Sequence, residues 1–497
     1  MKRLRLFTLA VAFIGLATIH AEEMQVTDQQ VRNAVESEIW LDDAISANNV
    51  DVSVLDGIVK LEGTVRSLYA KERLEKMVAT LVGVRSVVNL VLVVPAVVRS
   101  DEEIRTAVEN ALLHDPATES YEVQTLVSNG VVTLDGAVES YAEYTLSEEV
   151  AKTVPGVSGV KNEIDIRFVA DRLDSEIKAE VEQRLKNDVR VDDNLMLVTV
   201  KDGQVVLSGV VGSLQEKRQA KVTAWVSGVT DVDVSGLTIR WWARDEMRRE
   251  ALIAVRTDEE IKKAVEDAFL YDPRFYSFKP EVHVQDGIVS LHGIVTDALA
   301  RKAAEEDARN TVGVFHVRNN LKTRPDIPGN ALLTEQIEIA LMSSLLLAEQ
   351  DIDVSVKDGW VTLSGTVETS FEKVQAEQKA LRVPGVVGVI NRIDFNRYWQ
   401  WMPDRELKRE VEEQLFWSAF VDSDSITVSV NNGVVTLRGS VSSWSEYDDA
   451  ETNAYQAGAK GVKNELQVTS PDLYGPVGPS FVTGFPGVYP YSYYYYP

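Results

Sequence analysis

Val52-Ser53-Val54-Leu55-Asp56-Gly57-Ile58-Val59-Lys60-Leu61-Glu62-Gly63 is the stretch on which the fold turns. Val52 and Val54 alternate with more polar neighbours before Asp56-Gly57, and Val59 and Leu61 do so after it. A period of two on both sides of a turn dipeptide predicts a β-hairpin with one buried and one wet face. Asp-Gly suits a two-residue type I′ turn, in which both central residues take positive φ.

The same turn recurs as Asn129-Gly130, Asp202-Gly203, Asp286-Gly287, Asp358-Gly359 and Asn432-Gly433. Six residues after each turn glycine comes another, at Gly63, Gly136, Gly209, Gly293, Gly365 and Gly439. A third follows at Gly83, Gly156, Gly228, Gly313, Gly385 and Gly458. Five copies then carry an asparagine, at Asn89, Asn162, Asn319, Asn391 and Asn464, whereas the third copy has Val234. Repetition at a fixed period implies a tandem array in which each copy is one supersecondary unit.

Upstream of each hairpin an acidic or hydroxyl residue opens a 3.6-residue apolar period. The copies read Asp28, Val31, Val35, Ile39; Asp101, Ile104, Val108, Leu112; Asp174, Ile177, Val181, Leu185; Asp258, Ile261, Val265, Phe269; Thr334, Ile337, Leu341, Leu345; and Asp404, Leu407, Val411, Leu415. Carboxylates in the first turn are favoured by the partial positive charge of a helix N-terminus. A second helical segment, such as Leu68 to Val82, lies between the second and third glycines, the last of which can end it in the left-handed conformation. A third strand follows, with its first inward residue at Val87, Val160, Val232, Val317, Val389 or Val462. The expected fold is α+β, a tandem array of six two-layer αββαβ modules, each with two helices on one face of a three-stranded sheet.

The repeated pattern V-x-V-x-[DN]-G-x-V-x-L-x-G, followed by G-V-x-x-V-x-N, resembles the BON domain. The resemblance covers residues 27 to 469, in modules at 27–94, 101–168, 174–240, 257–323, 334–395 and 403–469. It implies an envelope location, no catalysis, and a role in osmotic or envelope stress with phospholipid or outer-membrane proteins as partners. It carries no ligand residues over, because the motif positions are turn glycines and core aliphatics. An association of some relatives with potassium makes a small-ion sensor a further reading.

The ends read differently. Lys2, Arg3 and Arg5 precede an apolar run from Leu6 to Ile19, and Ala21 precedes Glu22, which together read as a secretory signal peptide (1–21) cleaved near Ala21. The run falls short of the roughly 20 residues that span a bilayer. Export to a periplasm is therefore expected, with no transmembrane span in the mature chain. No cysteine is present, so disulfides and thiolate chemistry are excluded. The formal charge of −26 opposes long-range attraction to nucleic acid.

Candidate interaction residues lie where the repeat is interrupted. Residues 241–256 insert Trp241, Trp242, Arg244, Arg248 and Arg249 between modules three and four, dividing the array three and three. Trp399 and Trp401 stand between modules five and six. Either group can fill a space between modules or form a contact surface. Residues 470–497 are rich in Gly, Pro and Tyr and read as a disordered tail. The linkers are short, which predicts a semi-rigid string and leaves open a rod, a closed ring or two packed triplets.

Histidine is confined to His20, His114, His283, His292 and His316, and no phosphate-binding glycine loop or nucleophile elbow is present. Neither a catalytic residue nor a cofactor or metal ligand is assigned. The functional expectation is a non-enzymatic binding or scaffolding protein. The alternative is a structural spacer docked through its tyrosine-rich tail.

Overall fold

The computed structural model describes residues 26–42, 45, 49–95, 99–114, 122–167, 172–240, 242–243, 256–272, 280–295, 298–323, 329–342, 344, 347, 350–367, 370–395 and 402–468. It contains six copies of the order helix, strand, strand, helix, strand, with the third strand of module one interrupted into Ser86–Asn89 and Leu92–Val93. In each copy the hairpin strands pair antiparallel and the third strand pairs parallel to the second, so the second strand is central. The expected αββαβ modules are present, two helices on a mixed sheet.

Local chemistry accounts for these elements. The turn residues Asp56, Asn129, Asp202, Asp286, Asp358 and Asn432 have φ of 51–53°, and the glycines after them are also at positive φ, as a type I′ turn requires. The inner face of the first hairpin is dry, with Val59 and Leu61 fully buried. Onto it pack Val31, Val35 and Ile39 of the first helix, Asp28–Leu41, whose Thr27 forms a capping box with Gln30. Gly63 is required by space as well as by φ, because a Cβ there would lie 1.9 Å from the carbonyl oxygen of Asn49.

Two helix ends differ from expectation. The first helix of module five is Asn330–Met342, starting a turn before Thr334, because Asn330 occupies the place of the first-turn aspartates elsewhere. The second helix of module one stops at Ala79, with Thr80 as its C-cap, and Gly83 turns the chain three residues later.

The array closes on itself, one of the arrangements that the short linkers left open. At the end of the first helix of module three, Val189 N–H donates to Asn310 O (3.1 Å), and Val312 N–H of module four donates to Asn187 O (2.9 Å). Module six makes the same joint with module one, through Ala419 N–H to Thr80 O (3.0 Å) and Val82 N–H to Trp417 O (3.1 Å). The two joints use equivalent positions, so modules one to three and four to six form two like triplets joined head to tail at both ends.

Further equivalences support this division. Leu68, opening the second helix of module one, is buried in the core of module two, and its counterpart Ala298 of module four is buried in the core of module five. Arg218 of module three pairs with Glu75 of module one at 2.7 Å, and Arg309 of module four reaches Asp448 of module six at 3.4 Å. The cores of modules one and three merge into one apolar cluster, against which Trp417 and Tyr271 from the other triplet also pack. A 65–70-residue module supplies only about 3–5 kcal/mol from its own core, so shared cores add stability where it is needed.

Candidate interaction surfaces

The polar residues that recur in every module are used inside it. Asp28 accepts N–H bonds from both turn residues, Asp56 (2.8 Å) and Gly57 (2.9 Å). Asp101, Asp174, Asp258 and Asp404 hold their own turns in the same way. Asn330 holds one such bond, from Asp358 N–H at 3.2 Å. The carboxylates assigned above to helix-end electrostatics thus also lock the first helix to the hairpin. Their constant offset of 28 residues from the turn is the signal that could have shown it.

The repeated asparagine is a second internal fastener. Asn162 Nδ2 donates to Tyr144 O (2.8 Å) on the second helix and to Glu148 (3.3 Å), and its Oδ1 accepts from Ile164 N–H (3.3 Å). Asn89, Asn319, Asn391 and Asn464 do likewise. Where module three has Val234, the register of the third strand shifts between Asp233 and Gly236, and Lys217 Nζ donates to Leu237 O (2.8 Å) instead.

Buried polar side chains concentrate on the second helices, whose outer faces are covered by other modules. Lys152 of module two sits among Glu72 of module one (2.8 Å), Glu148 (2.7 Å) and Glu149 (3.2 Å). Tyr141 of module two stacks on Trp225 of module three, ring centroids 4.1 Å apart. Between modules three and four, Arg184 lies over the ring of Tyr271, whose hydroxyl bonds to Glu180.

These seams hold carboxyls away from their ordinary behaviour. Burial pushes Glu38 up to about 7 where the first helix of module one meets Gln414 and Glu410 of module six. Burial raises Asp448 to about 6 and Asp449 well above the carboxylate range, the latter with Asp448 and Glu446 adding repulsion and Arg190 opposing it. Neither carboxyl oxygen of Asp449 has a hydrogen-bond partner, and the residue is 2% exposed. Burial also opposes the Asp188 carboxylate, but Arg190 at 2.8 Å, with Thr223, holds it below its usual range.

Of the interruption residues, Trp242 is described; it is 41% exposed, beside the buried Ala243. Trp241, Arg244, Arg248, Arg249, Trp399 and Trp401 lie outside the described residues, as does the tail. The joint between modules three and four is made by residues 187–189 and 310–312. His283 and His292 share the outer face of module four, ring centroids 5.7 Å apart. Among the described residues no three His, Cys, Asp or Glu side chains gather in a metal-binding group, and no helix is long and apolar enough to cross a membrane.

Outer sheet faces differ between modules. On the third strands the outward positions are mostly charged, as in Lys161, Glu163, Asp165 and Arg167 of module two. In module one the corresponding positions are Val88, Leu90, Leu92 and Val94, exposed by 40, 50, 65 and 57%. This apolar edge was not among the sites expected from the sequence, although the loss of charge at four aligned positions was visible there.

Comparison with known proteins follows the same lines. The chain is 29% identical to osmotically-inducible protein Y of Escherichia coli (strain K12) over 144 residues, 28% of this chain and 72% of that protein. Among solved structures it overlaps with CdsD, a structural protein of the type III secretion system of Chlamydia trachomatis, at 18% identity and a TM-score of 0.12, covering 40% of this chain and 88% of that one. The C-terminal domain of CdsD gives 14% identity and the same TM-score, covering 44% of this chain and 100% of that one. The BON domain profile matches residues 27–95, 100–167, 173–240, 257–325, 330–397 and 403–470, well over half of the sequence, and the chain belongs to the BON domain family.

Proposed function

We propose that this chain is an exported, non-enzymatic scaffold of the periplasm that acts in osmotic or envelope stress by binding envelope components through its outer sheet faces. One observation carries the reading: the polar groups that repeat are spent on fastening turn to helix and strand to helix, while the surfaces that differ from module to module face outward. The signal-like residues 1–21 and the likeness to an osmotically inducible protein support the location and the stress setting. Six linked modules allow weak contacts to add into avidity.

Phospholipid and outer-membrane proteins are the two partner classes to separate. The negative charge weighs against anionic lipid over distances beyond a Debye length of about 8–10 Å. Closure of the array weighs against the spacer reading, in which module number sets reach. Crosslinking in the periplasm with identification of the captured species, beside co-sedimentation with zwitterionic and anionic vesicles at low salt, tests the proposal. Recovery of the chain from the cytoplasm, or of neither lipid nor any envelope protein with it, would refute it.

A further inference from the structure

The third strand of module one breaks a rule that the other modules keep. An edge strand exposes unpaired backbone groups, and proteins protect such edges with charges. Modules two, four, five and six place at least one charge among the outward residues of this strand, as in Arg318, Arg392 and Lys463. Module one places four aliphatic side chains there. Val88 is opposite Lys60 and Leu92 opposite Thr64 on the central strand, so the apolar stripe is a single strand wide and bordered by polar residues. The strand is in two pieces, Ser86–Asn89 and Leu92–Val93, both paired to the central strand and at the edge of the sheet. A stripe that narrow, beside an edge that no described strand pairs, fits one extended peptide better than a broad surface.

The chain carries such a peptide. Residues 469–497 follow directly on the last strand of module six, Gly461–Val468. They include seven tyrosines and two phenylalanines, and no charged residue after Asp472. Tyr491-Ser492-Tyr493-Tyr494-Tyr495-Tyr496 is free of proline and glycine and rich in a residue favoured in strands. Closure of the array brings the module that carries this segment against module one, through the Leu81 to Ser418 bridge. Reach is not limiting, because 29 residues span up to roughly 95 Å when extended.

We infer that the C-terminal tyrosine-rich segment docks in cis on the outer edge of the third strand of module one, pairing as an added strand and covering Val88, Leu90, Leu92 and Val94. Backbone pairing supplies affinity and the alternate apolar side chains supply register, as in strand addition generally. The inference is independent of which envelope partner the protein binds.

Three chains test it: the full chain, one ending at Val468, and the full chain with Leu90→Asp and Leu92→Lys. Removal of the tail is expected to speed amide exchange across residues 88–94 at least tenfold and leave residues 463–467 unchanged. The double substitution is expected to make the tail tyrosines at least fivefold more sensitive to chymotrypsin, with circular dichroism unaltered. Truncation removes none of the described core, so its result stands even if the substituted chain misfolds. Unchanged exchange at 88–94 on truncation would overturn the inference, as would protection found only in a dimer by light scattering, which would put the tail on a second copy.

Discussion

Asp28 accepts hydrogen bonds from the backbone of Asp56 and Gly57 at 2.8 and 2.9 Å, joining the first turn of a helix to a hairpin turn 28 residues away. Charge-assisted bonds of this kind contribute about 1.5–3 kcal/mol each when shielded, and less in water. Asp404→Ala in module six should therefore cost about 2 kcal/mol, seen as faster amide exchange in residues 426–441. Equal exchange in the two proteins would show the contact to be idle.

Module five offers the converse. Asn330 holds its turn by one bond of 3.2 Å where an aspartate holds two. Asn330→Asp should restore the second acceptor and add a favourable charge at the helix N-terminus, together about 0.5–1 kcal/mol. Urea unfolding monitored at Trp360, in the same hairpin, should move to higher midpoint; a lower midpoint would contradict this.

The twin joints predict coupled opening. Trp417 packs on the merged core of modules one and three, and its carbonyl accepts from Val82. Trp417→Ala should cost about 3 kcal/mol by lost burial and release module six from module one. Small-angle scattering should then show a larger radius of gyration, with the amides of Val82 and Ala419 losing protection together. An unchanged radius would mean that the other seams suffice.

Stability should fall as pH rises from about 4 towards 7. Burial raises Glu38, Glu216 and Glu451 to about 7 and Asp448 to about 6. A carboxyl whose pKa is raised on folding binds its proton more tightly in the native state, so its ionisation costs stability from its unfolded value near 4 up to its folded value. The opposite case, Asp188, loses support only below the ordinary aspartate range. Calorimetry should find a higher Tm at pH 5.5 than at pH 7.5. Asp449→Asn, which removes a buried ionisable carboxyl whose oxygens are unpartnered, should raise Tm at pH 7.5 by a few degrees and narrow the difference. A Tm that climbs from pH 5.5 to 7.5 would reverse the argument.

The third module tests how the asparagine is replaced. In module three the helix donates to the strand, Lys217 Nζ to the carbonyl of Leu237, whereas in the others a strand asparagine Nδ2 donates to a helix carbonyl. Lys217→Met should leave that carbonyl without its side-chain donor at a cost of about 1 kcal/mol. Asn162→Ala, which removes bonds to both helix and strand, should cost more. Matched denaturation of the two variants orders them.

The amino-acid sequence by itself determined the module. Asp-Gly and Asn-Gly turns, the period of two around them and the period of 3.6 upstream are local patterns, and each dictates an element within a few residues of itself. Val234 even marked the module whose third strand departs from the rest. Only the tertiary structure decided the rest: that Asp28 reaches a turn 28 residues on, that Val189 pairs with Asn310 and Ala419 with Thr80, and that Asp449 is buried without a partner. No local pattern marks charged residues such as Glu72, Arg218 and Asp448, on the outer face of the second helices, as lying in a seam. Other modules cover that face because six small cores leave apolar surface to share, and contacts between chain-distant backbones follow no period. The apolar edge of module one stands between the two, written in four residues of sequence and given meaning by the sheet that exposes them.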